Sequence, residues 1–271
     1  METETSNNTN VEDTTSTTTT ATDKPQQQKR KKAIKPYHRI KAHSNPLSDN
    51  DFNYPVSPDK MDWSPHYPQF LKDHPEKRVE VADVGCGYGG LTVSLSAALP
   101  DQMILGMEIR DKVVQYVDER IVKLREKETD KYQNISVLKT NAMKYLPNYF
   151  YKGQLQKIFF LFPDPHFKKA NHKRRIISST LLSEYAYVLA PGGLAYFISD
   201  VEELYLWMYK HFAAHPLFEQ IEDQQILLSD PCIPLIINSS EEARKVNRID
   251  GKKWYAVFRR ITEPRIINKT N

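Results

Sequence analysis

The sequence predicts an α/β protein: a doubly wound, mainly parallel sheet with helices on both faces. Three observations carry this. Apolar runs of strand length alternate with amphipathic helical stretches from Arg78 onward, a glycine-rich turn follows the first strand, and a long polar segment precedes them all. Parallel neighbours need crossover connections, so such a sheet is covered on both faces.

Val79-Glu80-Val81-Ala82-Asp83-Val84 is the first strand, ending in Gly85-Cys86-Gly87-Tyr88-Gly89-Gly90. Leu91, Val93, Leu95 and Leu99 then fit a short buried helix. Met103 to Ile109 is the second strand, and the helix after it places Val113, Val114, Val117, Ile121 and Leu124 on one face. Ile135–Thr140 and Lys157–Phe162 are two more strands. A helix from about His172 turns Ile177, Leu181, Tyr185, Val188 and Leu189 inward, and Pro191-Gly192-Gly193 is expected to stop it. Leu194–Ser199 is a strand, Val201–His211 a helix, and Trp254–Ile261 the closing strand.

The polar segment has its own logic. Residues 1–28 hold ten Thr and only Met1, Val11 and Ala21 as apolar side chains, too little to offset the entropy of ordering. Disorder is expected there. Residues 24–48 carry eight Lys/Arg and no acid, and the rest of the chain balances 30 basic residues against 34 acidic ones, a net of −4. The positive charge is therefore concentrated in one arm, which reads as a nucleic-acid arm or a nuclear-import signal. Its bland reading is a solvated linker. Two cysteines, Cys86 and Cys232, cannot form a disulfide framework, and no Cys-x-x-Cys pair or carboxylate–histidine cluster has metal spacing, so no metal is expected. No apolar run approaches the ~20 residues that span a bilayer, and the N-terminus lacks the apolar core of a signal peptide. A soluble, intracellular protein without a membrane partner is expected.

In an open α/β sheet the ligand lies over the carboxyl ends of the strands, at the reversal in strand order. The glycine turn thus marks a cofactor site. Gly85-x-Gly87-x-x-Gly90 matches the dinucleotide fingerprint, and Asp83-x-Gly85-x-Gly87-x-Gly89 matches the loop that binds S-adenosylmethionine. Glu108, at the end of the second strand, can accept two ribose hydroxyls, which both cofactors possess. Asp83 tilts the choice, because a carboxylate suits a cationic amino-acid group and is awkward beside a pyrophosphate. Asn141-Ala142, after the third strand, could hold an adenine edge; the bland reading is that Asn141 caps a helix and the glycines merely turn the chain.

The fourth strand ends in Leu161-Phe162-Pro163-Asp164-Pro165-His166-Phe167-Lys168-Lys169, with His172-Lys173-Arg174-Arg175 behind it. Two prolines present one carboxylate rigidly. Residues 165–175 carry five Lys/Arg and no acid, and a phosphate backbone would match them. A charged helix start is the bland alternative, but cations there oppose the helix dipole.

Three segments then resemble one family: Ala42-His43-Ser44-Asn45-Pro46-Leu47-Ser48-Asp49, Met61-Asp62-Trp63-Ser64, and Phe162 to Lys169. They are similar to the tRNA (guanine-N7)-methyltransferases, most of all the eukaryotic catalytic subunit. Lys245-Val246-Asn247-Arg248 and Phe258-Arg259-Arg260 resemble its C-terminal segment, and the likeness runs from about Lys35 to Pro264. It implies a Rossmann-like class I methyltransferase with a seven-stranded sheet. The expected organisation is a tail over 1–34, an arm over 35–68 folded across the active site, a methyltransferase domain over 69–264 and a tail over 265–271. By the same resemblance, Gly85, Glu108, Ile109, Arg110, Asn141, Ala142 and Leu161 are cofactor positions, beside Asp83 and Gly87 from the loop. Ser240-Glu241-Glu242 matches a Thr-Glu-Glu segment at cofactor and substrate, with the hydroxyl kept. Read bottom-up, Ser239-x-x-Glu242 is a helix capping box. Ala243 and Ile249 stand where the family more often has glycine-rich variants.

Asp164 matches the residue treated as catalytic. The implied reaction is in-line attack of N7 of a guanine, in the tRNA variable loop, on the methyl of S-adenosylmethionine. Lys35, Arg39, Lys41, His43, Asn45, Lys168, Lys169, Lys173, Arg174 and Arg175 are the expected RNA contacts, with His43 a structural or stacking residue and Cys86 a small buried spacer. The resemblance also implies a non-catalytic WD-repeat β-propeller subunit, and the basic run suggests the nucleus. Three other functions compete. An amino-methyltransferase acting at N2 of guanine or N6 of adenine would more often show a Pro-Pro-aromatic motif. A nicotinamide oxidoreductase would leave Asp164 and its basic neighbours unexplained. A non-catalytic RNA-binding relic would have no need of the intact loop.

Overall fold

The computed structural model describes residues 44–48 and 52–264; the tails expected over 1–34 and 265–271, and the arm as far as His43, lie outside the described residues. Seven strands form one sheet in the order β3-β2-β1-β4-β5-β7-β6. They are β1 (Val79–Val84), β2 (Met103–Glu108), β3 (Ile135–Lys139), β4 (Leu155–Leu161), β5 (Leu189–Ser199), β6 (Phe218–Gln220) and β7 (Trp254–Arg260). The first five are parallel to one another, while β7 runs antiparallel to both β5 and β6. The chain builds β1, β2 and β3 in one direction and then returns to place β4 on the other side of β1. That reversal puts the loops after β1 and β4 side by side at the carboxyl ends.

Alternation along each strand divides the core in two. Ala82, Val84, Ile158, Phe160, Ala195 and Phe197 face one layer, with α4 (Ala142–Tyr149), α5 (Ser179–Val188) and α6 (Glu202–Ala214). Val81, Phe159, Tyr196 and Val257 face the other, with α2 (Gly90–Ala98), α3 (Asp111–Lys127) and α8 (Cys232–Asn238). The inward row of α3, Val113, Val117 and Ile121, follows the expected spacing.

The sequence reading and the structure part in three places. The helix expected from His172 begins at Ser179: residues 169–174 form a 3₁₀ turn, and the Ser178 hydroxyl caps α5 by accepting the Leu181 N–H. Pro191-Gly192-Gly193 does not stop that helix. Leu189 already pairs with Leu155, and the next paired residues are Leu194 and Lys157, so the three residues bulge out within β5, with Gly192 at φ 85°. Finally β6, α7 (Gln224–Ser229) and α8 are not predicted by the sequence, while α4 and α9 (Glu241–Arg248) are signalled only by the capping readings at Asn141 and Ser239.

The arm packs along α4. Asn141 Nδ2 donates to the Pro46 carbonyl at 2.6 Å, Lys144 Nζ to that of Ser48 at 3.1 Å, and Asn148 Nδ2 to those of Pro55 and Val56. Tyr54 stacks on Tyr145 and Trp63 on Phe150. Farther along, buried Tyr67 donates to the Ile104 carbonyl at 2.9 Å.

One buried amide ties α2 to the sheet. Asn134 Nδ2 donates to the carbonyls of Ser96, Leu99 and Gln102, and its Oδ1 accepts from Ser96 Oγ at 2.6 Å. Asn134→Ala strands these groups, each orphan costing about 1–3 kcal/mol. A loss of about 2–4 kcal/mol in urea unfolding is expected; a change below 1 kcal/mol would show the bonds to be dispensable.

Candidate active site

The turn after β1 is built on left-handed glycines. Gly85, Gly87 and Gly89 have φ of 73°, 54° and 75°, where a side chain is strained. At Gly85 and Gly87 an added Cβ would meet nothing within 4 Å, so the loop has open space over its face. The N–H groups of Gly85 and Cys86 both donate to the Met107 carbonyl, at 2.8 and 3.1 Å, locking the turn to β2. Burial pushes the Cys86 thiol well above its ordinary range, consistent with a small spacer.

Three carboxylates converge on this turn. Glu108 is buried: Oε1 accepts the N–H groups of Ile109 and Arg110, both at 2.9 Å, and Oε2 accepts that of Gly87 at 3.2 Å. The Arg110 guanidinium closes on both oxygens, at 3.0 Å each. Asp83, also buried, accepts the Thr92 hydroxyl at 2.7 Å. Its pKa is pushed up to about 7, first by burial and against the Thr92 bonds, with Glu241 and Glu108 adding repulsion. Glu241 Oε1 is paired with Arg120 Nη1 at 3.3 Å, and its Oε2 is buried without a hydrogen-bond partner. With Asp83 ionised, three acids stand against the two guanidinium groups and leave a negative surplus under the loop. That surplus fits a cationic ligand and disfavours the pyrophosphate of a dinucleotide.

Residues the sequence left unmarked complete the cradle. Arg120 also donates to the Tyr88 carbonyl at 2.8 Å, bracing the loop from α3. It flanks the apolar stripe three residues after Val117, the one available hint. A Cβ at Gly90 would strike the Ser239 carbonyl, so α2 and the segment before α9 touch backbone to backbone. The cap of α9 is Ser240 rather than Ser239: Ser240 Oγ accepts the Ala243 N–H at 3.0 Å. Glu242 points away, to Lys245. Ile249 is accommodated because its φ is −109°; the left-handed step falls on Asp250.

Asn141 caps α4 through Oδ1, accepting the Met143 N–H at 3.1 Å, while its Nδ2 holds Pro46; Ala142 is buried behind it. The amide expected at an adenine edge is thus engaged with helix and arm. Leu161, half-buried, ends β4 opposite Ile198.

Asp164 stands half-buried in the turn after β4. The turn is strained at both ends, with Phe162 at φ 47° and His166 at φ 45°, and the Phe162 N–H is tied to the Ile198 carbonyl at 2.9 Å. Lys168, Lys169 and Lys173 are exposed beyond it, and Arg174 half-buried. Arg175 departs from the expected RNA surface. It is 1% exposed, because its guanidinium turns inward to Pro165, Glu203 and Trp207. Asn45 is exposed in a turn of the arm; Lys35, Arg39, Lys41 and His43 lie outside the described residues. Among the described residues no group of three His, Cys, Asp or Glu is arranged to hold a metal, and no helix is long and apolar enough to cross a membrane.

A family model described as "Putative methyltransferase" matches residues 77–256. A tRNA (guanine-N(7)-)-methyltransferase of Dictyostelium discoideum is 73% identical over 234 residues, 86% of this chain and 83% of that one. The chain belongs to the tRNA (guanine-N7)-methyltransferase family. Family members from Brugia malayi and Xenopus tropicalis are 54% and 55% identical, each over 85% of this chain and over 88% and 96% of their own lengths. Among solved structures, the 16S rRNA methyltransferase KamB is similar with a TM-score of 0.46 and 16% identity, over 73% of this chain and 94% of that one. Membership makes S-adenosylmethionine the cofactor for which the acidic glycine turn is suited.

The raised pKa of Asp83 carries a pH prediction. Unfolded, the carboxyl loses its proton near 3.8; folded, near 7. The folded form holds the extra proton between those values, so stability falls as pH rises across that window. Asp83→Asn removes this titration. Urea melts from pH 5 to 7 should show wild type losing stability relative to the variant, by up to about 1.4 kcal/mol per pH unit; parallel curves would contradict the assignment.

Proposed function

We propose that this chain transfers the methyl of S-adenosylmethionine to N7 of a guanine in tRNA, the variable-loop guanosine being the target. The observation that carries the reading is the pairing of two loops across the strand reversal. One is an acidic glycine turn for a cationic cofactor, the other a strained turn presenting Asp164 beside exposed lysines. The relatives named for this reaction support it.

The chemistry S-adenosylmethionine supplies, when bound, is an electrophilic methyl on a sulfonium. Glu108 has the acceptor capacity for a ribose diol, and Asp83 and Glu241 offset cationic charge near the glycine turn. N7 of a neutral guanosine bears no proton, so the chain needs no general base there. Its work is positioning and electrostatics. Asp164 accepts from the N1–H and amino edge of the guanine and stabilises the positive charge that builds on the ring. Lys168, Lys169 and Lys173 hold the RNA backbone, with Arg174, Asn45 and the arm residues Lys35, Arg39, Lys41 and His43 adding contacts. A WD-repeat β-propeller subunit as partner, and the nucleus as compartment, follow from the likeness to the eukaryotic catalytic subunit and from Lys29-Arg30-Lys31-Lys32.

The test is transfer from labelled S-adenosylmethionine to bulk tRNA, with and without a propeller subunit, nucleosides being resolved by mass. Label in 7-methylguanosine is expected. Asp164→Asn keeps shape but loses the charge, and should lower the rate by ~10²–10³. Label in an N2- or N6-methylated nucleoside would overturn the substrate assignment.

A further inference from the structure

Arg175 is a full cation sealed inside the protein immediately beneath the catalytic turn, and the reaction as described does not use it. Its Nε donates to the Pro165 carbonyl at 2.8 Å and its Nη2 to Glu203 Oε1 at 2.7 Å. The guanidinium lies 4.7 Å from the centre of the Trp207 ring, and Nη1 is buried without a hydrogen-bond partner. Trp207 in turn donates to the Ile177 carbonyl at 2.8 Å, fixing the chain just after Arg175 from α6.

As a stabilising device this arrangement is poor. Burying a guanidinium is costly, one donor stays unpaired, and the compensating carboxylate of Glu203 is 55% exposed, so water weakens the attraction. An apolar side chain would fill the same space without that penalty. What an apolar side chain could not do is hold Pro165. The peptide that Arg175 grips is the one leading into His166, whose φ of 45° closes the strained turn around Asp164. The other end is already tied, Phe162 N–H to Ile198. Arg175 fastens the second end, at the Pro165 carbonyl.

We infer that Arg175 is a positioning residue that sets the Asp164 carboxylate through the Pro165 carbonyl, with Glu203 and Trp207 of α6 holding the guanidinium in place. This rests on the role of Asp164 proposed above. It replaces the phosphate contact expected of Arg175 from its place in a basic run.

The conservative variant is Arg175→Lys, which keeps the charge but cannot grip Pro165 and Glu203 with separate donors as the planar fork does. It should lower kcat for tRNA methylation by about 10–100-fold, while S-adenosylmethionine affinity measured by calorimetry and KM for tRNA stay within about twofold. Combined with Asp164→Asn, the same change should cost less than about twofold further, because the group it positions is gone. Glu203→Ala, which frees the guanidinium without touching the turn, should show the same pattern at smaller size, and serves if Arg175→Lys does not fold. Equal losses with and without Asp164→Asn would overturn the inference and leave the Asp164 reading intact. So would a raised tRNA KM at unchanged kcat. Wild-type activity of Asp164→Asn alone would remove the parent reading and the inference with it.

Discussion

Holding three carboxylates, two of them buried, around one glycine turn is the constraint on which the rest of the structure depends. An uncompensated buried carboxylate costs several kcal/mol, and the fold answers each one differently. Glu108 is satisfied by three backbone N–H groups and a guanidinium. Asp83 has one hydroxyl and meets the penalty by holding its proton to higher pH. Glu241 takes Arg120 on one oxygen and leaves the other bare. Only that of Glu108 is largely local, through Ile109 and Arg110; the rest are not. They need β1 beside β2, α3 close enough to reach the turn, and the segment before α9 pressed against Gly90 from more than a hundred residues away.

The turn after β4 follows the opposite logic. Here the acid is half-open to solvent, and the backbone bears the strain, at Phe162 and His166. Because β4 lies directly beside β1, its register places Phe160 opposite Val84, and the two turns emerge as neighbours. One keeps its charges largely hidden from water; the other leaves its carboxylate half-open to it.

Much of this was legible in the sequence, and the boundary is physical. The first five strands are apolar runs buried on both faces, and the glycine turn with Glu108 has fixed spacing, so both announce themselves locally. Arg175 does not. In a run of Lys and Arg it reads as surface, and only Glu203 and Trp207, about 30 residues later and on another helix, turn it inward. Asn141 carried both its readings at once, adenine edge or helix cap, and the structure engages it as a cap that also holds Pro46. Pro191-Gly192-Gly193 is a helix stop by composition, yet the pairing of β4 with Leu189 draws those residues into a bulge. The buried residues of the short helices α7 and α8 join the core formed by the sheet, α2 and α3, with α8 against α2, and no window of sequence reveals those contacts.

The contacts between arm and α4 have an asymmetry of information. The helix contributes side chains, Asn141, Lys144, Asn148 and Tyr149, but the arm answers with main-chain carbonyls at Pro46, Ser48, Asn53, Pro55 and Val56. A carbonyl is the same in every residue, so these bonds specify the path of the arm and say little about its composition. Among the described residues, the rings of Phe52 and Tyr54 against Tyr145 do make a demand on identity there. The helix thus reads the arm as a length of backbone, and a shift of one residue along α4 would be resisted by the two rings rather than by the hydrogen bonds.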